Sequence, residues 1–103
     1  MREQLTQRPF HYMGVLTLTV SGTVVGIAAS SIPPGASGAV VANAVGAGDV
    51  HWLVGSDPST AFGVPLKAGD ALVFRDNPTT IQNLRFIRVG SSDGRVTVHF
   101  LTE

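Results

Sequence analysis

The sequence contains no cysteine. A disulfide framework, a thiolate metal site and a cysteine nucleophile are therefore excluded, and stability has to come from packing. Charge is also scarce. Asp, Glu, Lys and Arg make up 14% of the 103 residues, seven basic against seven acidic, for a formal net charge of +0. Ordinary soluble domains carry about 25%. Without a basic excess the chain lacks the electrostatic footprint of a nucleic-acid binder. Aromatic residues reach only 7%, with one Trp and one Tyr, which leaves little for a base-stacking platform. No uninterrupted apolar run approaches the roughly 18 residues of a membrane helix.

What the chain does have is 44% hydrophobic residues and a mean hydropathy of +0.27. Disordered chains show the opposite balance. The length fits one domain with one core. A sparsely charged protein near its pI of about 6.8 is poorly soluble as a lone monomer unless small neutral residues cover its surface. Assembly with partners is the expectation.

Twelve glycines and six prolines leave few windows for three helical turns. The most apolar stretch, residues 13–29, resembles a signal-peptide core, but Thr17, Thr19, Ser21 and Thr23 alternate with apolar residues at a strand period. Leu16, Leu18 and Val20 then form one buried strand face. Ser21-Gly22 reads as a tight turn, with residues 23–28 returning as the hairpin partner. The Pro33-Pro34 pair marks a loop. Residues 39–45, small and apolar, suit a strand buried on both faces. Further strands are expected over 50–54, 64–66, 71–74 and 84–89, separated by turns at Gly48-Asp49, residues 55–60, Ala68-Gly69-Asp70 and Asp76-Asn77-Pro78. Ser92-Asp93-Gly94 is the strongest hairpin turn, and Val96, Val98 and Phe100 alternate with Arg95, Thr97 and His99 in the last strand. The expected fold is all-β: an antiparallel β-sandwich or jelly-roll-like small barrel of about seven to eight strands. Trp52, Phe86 and Phe100 are its expected core anchors, with the Trp52 indole N–H requiring an acceptor.

Residues 1–12 hold Arg2, Glu3 and Arg8 without a strand period. They are assigned as an N-terminal arm, and residues 13–103 as the sandwich domain. Arg2, Arg8, Phe10 and Tyr12 are the arm's candidate contacts with a neighbouring subunit; the competing assignment pairs the arm with its own sheet edge.

Signs of catalysis are few. His11, His51 and His99 show no spacing that brings them to carboxylates. Asp49, Asp57, Asp70, Asp76 and Asp93 all fall in or beside turns, where Asp bonds to backbone. No G-x-S-x-G elbow occurs, and the Gly-rich segments at 35–38 and 46–48 lack the Lys of a phosphate loop. Arg85 and Arg88 fall on opposite faces of one strand. No enzyme activity, catalytic residue, metal or cofactor is expected.

The segment Val50-His51-Trp52, then Asp57-Pro58-Ser59-Thr60, Gly63 and Leu66-Lys67-Ala68-Gly69-Asp70, resembles a recurrent group of small tailed-bacteriophage and prophage virion proteins. So do residues 81–88 (Ile81-Gln82-Asn83-Leu84-Arg85-Phe86-Ile87-Arg88) and the final Val96-Thr97-Val98 strand. Leu53 and the Gly55-Ser56-Asp57-Pro58 turn depart from that pattern. The resemblance spans about residues 16–100. It implies a β-sandwich structural protein, most specifically a capsid decoration or cement protein on the capsid surface, made in the bacterial host cytoplasm. A tail, collar or head-fibre adaptor, or a host-glycan-binding module, is the alternative. The implied partners are the major capsid protein or other virion proteins and copies of the same chain, as a dimer or trimer, with no direct nucleic-acid or membrane contact. Asp57, Pro58, Thr60 and Phe62 are the loop residues assigned to partner binding.

Overall fold

The fold is described from a computed structural model covering residues 11–75 and 78–102. Eight strands form in chain order: β1 (His11–Val20), β2 (Val25–Gly26), β3 (Gly38–Asn43), β4 (Val50–Val54), β5 (Val64–Leu66), β6 (Ala71–Phe74), β7 (Leu84–Arg88) and β8 (Gly94–Thr102). A short helix, α1 (Pro78–Gln82), precedes β7, and a 3-10 turn occupies Ala29–Ser31. The strands divide into two four-stranded sheets, ordered β1-β8-β3-β6 and β2-β7-β4-β5, with every pairing antiparallel.

A single rule generates this order. β1 pairs with β8, β2 with β7, β3 with β6 and β4 with β5, as in one long hairpin bent at residues 55–63. Rolling that ribbon adds the pairs β3–β8 and β4–β7. The result is a jelly roll, the two-sheet solution that packs one apolar face against another. Side-chain alternation sets the inward face. Leu16, Leu18 and Val20 oppose Val98, Val96 and Gly94, and Val96, Val98, Val41 and Phe100 are buried. From the other sheet, Val50, Leu66, Leu84 and Phe86 complete the core.

Two expected hairpins do not form. β2 pairs with β7 rather than returning along β1, and β7 and β8 lie in different sheets although Ser92-Asp93-Gly94 joins them. Turn chemistry reverses the chain locally, but the partner is chosen by which strand buries the alternating apolar face. β8 takes β1 from His11 to Val20 with one register shift at Met13, so residues 21–24 and 89–93 cross between sheets. Ser21 stitches the first crossing, its carbonyl accepting from Arg88 N (3.0 Å) and its Oγ from Thr23 N (3.2 Å). α1 was not expected either. Pro78 opens it, where a missing N–H costs nothing, and Ile81 anchors it in the core. Of the expected turn at 76–78, Asp76 and Asn77 lie outside the described residues. β1 takes in His11 and Tyr12, so the strand begins inside the segment assigned to the arm.

The short connections 21–24, 44–49, 67–70 and 89–93 gather at one end of the sandwich. Asn43, the only buried polar residue among those described, binds that end together. Its Nδ2 donates to Gly48 O (2.8 Å) and Leu66 O (3.1 Å), and its Oδ1 accepts from Arg95 N (3.2 Å). Its backbone N–H donates to Asp70 O (2.9 Å), and its carbonyl accepts from Gly69 N (2.8 Å). A Cβ on Gly94 would collide with the Val50 side chain, and one on Gly48 with the Ser92 carbonyl, so the turns meet there without spare room. Asn43→Ala removes three side-chain bonds and strands buried backbone groups. It is expected to destabilise the fold by about 3 kcal/mol, read as a fall in thermal midpoint of more than about 10 °C.

Candidate functional site

The end opposite Asn43 carries the longer connections 27–37, 55–63 and 75–83, together with the first residue of β1 and the last of β8. The start of β1 at His11 and the 55–63 loop are thereby brought to the same end. Arg2, Arg8 and Phe10 lie outside the described residues. Tyr12 sits in β1 opposite Leu101.

The 55–63 loop is a built structure. Ser59 N donates to Phe62 O (2.8 Å) and Phe62 N to Ser59 O (3.3 Å), closing a two-residue turn over Thr60 and Ala61, and Ser59 Oγ accepts from Ala61 N (3.3 Å). His51, on the outer side of β4, anchors the turn, with Nδ1 2.9 Å from Ser59 O. A carbonyl can only accept, so Nδ1 carries the proton in this bond. Gly63 lies so close that a Cβ there would stand 2.8 Å from His51 Cβ and 3.2 Å from Pro58 Cβ. Pro58 is buried. It lies against Gly63 within the loop, so of the four loop residues assigned to partner binding it is the one that is not exposed. Asp57, Thr60 and Phe62 are exposed, Phe62 at 69%.

Trp52 is half-buried rather than a central anchor. It packs edge-on against Phe74 at 5.5 Å between ring centroids, near the β5 and β6 edges. Its Nε1 is buried without a partner among the described residues, so the expected acceptor is missing. Phe86 and Phe100, at 0% and 1% exposure, are the core anchors expected.

Among the described residues no three His, Asp or Glu side chains come together to hold a metal. Asp49 Oδ1 accepts from Ala68 N (3.0 Å) and Asp70 Oδ2 from Lys67 N (3.3 Å), which is the turn role expected of them. Asp93 instead pairs with Arg88 at 2.5 Å. Arg85 donates to Gln82 O (3.0 Å) and Leu84 O (2.9 Å). Two open clefts of about 330 and 370 Å³ flank the 44–49 turn, the first bordered by Asp93 and Arg95 and the second by Asp49 among small residues.

The feature that sequence reading missed is the outer face of the β1-β8-β3-β6 sheet. Register aligns Val15, His99, Val40 and Val73 in one row and Thr17, Thr97, Ala42 and Ala71 in the next, with Thr19 beside Arg95. Arg95 is the one charged side chain in these rows. Val15 and Val73 are 60% and 57% exposed. The neutral face emerges only once strands distant in sequence are in register. Comparisons with protein-family models, curated proteins and solved structures find no match to this chain.

The loop separates buried support from exposed side chains. Phe62→Ala is expected to change stability by less than about 0.5 kcal/mol, while Gly63→Ala costs more than about 1 kcal/mol by driving a methyl into His51 and Pro58. Denaturant unfolding of the two variants checks both values.

Proposed function

We propose that this chain is a structural virion protein of a tailed bacteriophage or prophage, acting as a capsid decoration or cement protein that binds the assembled major capsid protein lattice. The observation that carries this reading is the nearly uncharged outer face of the β1-β8-β3-β6 sheet. Interface centres are depleted of charge, and a flat face of Val, Thr and Ala costs little to desolvate. The jelly roll adds a rigid frame found among viral capsid and lectin domains, although the fold by itself assigns no role. The resemblance of residues 50–70 and 81–98 to small virion proteins supplies the particular setting.

A clip of this kind works by mass action. It binds the assembled shell and not the free subunits, so each bound copy lowers the free energy of the closed lattice. The sheet face supplies one contact. His11, where the described chain begins, lies at the same end as the loop that presents Phe62, and a second contact through residues 1–10 would multiply affinity by effective concentration.

Incubating the purified chain with undecorated shells and imaging them by cryo-electron microscopy tests the reading. Copies distributed over the whole lattice are expected. Occupancy confined to one vertex or ring indicates an adaptor of the tail, collar or head fibre, and no binding to shells overturns the reading. Deleting residues 1–10 is expected to reduce shell occupancy while the circular dichroism of the sandwich is retained; full occupancy after deletion removes the arm from the mechanism.

A further inference from the structure

A jelly roll leaves four sheet edges, and here three of them are short. β2 has two residues, β5 has three with Pro65 in the middle, and β6 has four. The fourth edge is β1, ten residues reading HYMGVLTLTV. It contains no Asp, Glu, Lys, Arg or Pro, and among the described residues it pairs only with β8. Every second residue of an edge strand turns its N–H and C=O away from its neighbour, which makes a long uncharged edge a template for another strand.

Among the described residues the sandwich is also open along this side. β2, the strand facing β1 across the core, is too short to cover it. Met13, Leu16 and Leu18 pack against the core yet are only half-buried. An incoming strand therefore gains backbone hydrogen bonds and apolar contact together.

We propose that β1 is a self-association edge: two copies pair β1 with β1 antiparallel about a two-fold axis, joining their β1-β8-β3-β6 sheets into one continuous sheet. The sequence suits itself as partner. With the axis at Thr17, Leu16 faces Leu18 of the second copy on the core side. Thr17 meets Thr17, and Val15 meets Thr19, on the outer side. Inward faces stay inward, as strand parity demands, no like charges oppose, and Thr–Thr and aliphatic cross-strand pairs are favourable. An isologous contact of this kind closes at two copies and so avoids open fibres. It also doubles the neutral outer face. Being a property of the isolated chain, it stands or falls separately from shell binding.

Sedimentation of the full chain tests it. A dimer is expected. Thr17→Lys, which sets two lysines opposite each other on an exposed edge position, is expected to raise the dimer Kd roughly tenfold or more while the circular dichroism spectrum of the folded sandwich is retained. Because the chain has no native cysteine, a single Thr17→Cys reports register directly. Opposed Cα atoms in an antiparallel pair lie about 4.5–5.5 Å apart, within disulfide reach. Thr17→Cys is expected to cross-link on mild oxidation and Val73→Cys, on the far edge, is not. A monomeric full chain, including one in which residues 1–10 occupy the edge themselves, overturns the proposal. So does a dimer indifferent to Thr17→Lys that fails to cross-link through position 17.

Discussion

The fold depends on the group of hydrogen bonds around Asn43. β3 ends there, the 44–49 and 67–70 turns fold back onto it, and β8 starts beside it. A buried amide in a low-dielectric interior has to be satisfied, and each of its three side-chain bonds reaches a different segment: Gly48, Leu66 and Arg95. Leu66 belongs to one sheet and Arg95 to the other. The residue therefore fixes the sheets relative to each other at the end where the chain crosses between them. With that end fixed and its turns short, the opposite end is left to longer connections. The loop presenting Phe62 is one of them.

Scarcity of charge has a spatial meaning in this frame. The few charged side chains do local work at turns and strand ends. Asp49 and Asp70 hold backbone amides, Arg88 holds Asp93, and Arg85 holds carbonyls beside α1. Little is left for the sheet surface. The outer face of β1-β8-β3-β6 carries little charge beyond Arg95 because Thr, Ala and Val occupy most of its positions. A neutral sheet face next to a long neutral edge is a combination that monomeric sheets avoid.

Much of the strand set was legible in the sequence. The spans 50–54, 64–66 and 71–74 match β4, β5 and β6, because each is a short apolar run between turn residues. Pairing was not legible. Ser92-Asp93-Gly94 has hairpin chemistry, yet it serves a crossing between sheets, since a turn specifies reversal and not which strand is met afterwards. Asn43 was hidden inside a run of Ala and Val, where one small polar residue does not interrupt a strand pattern. The loop at 55–63 was visible from its Gly, Pro and Ser. The division of labour within it, Pro58 buried and Phe62 exposed, needed the contacts of Gly63 and His51.

The pairing of β1 with β8 also has a consequence in time. On a ribosome β1 is made before β8, with β2 to β7 made between them. Pairing between segments so distant in sequence is slow to form. Until β8 emerges, the uncharged stretch from Val15 to Val20 has no partner of its own and is open to contact with other nascent chains. Production of this protein is therefore sensitive to temperature and expression rate: slow synthesis lets each chain close on itself before it meets another.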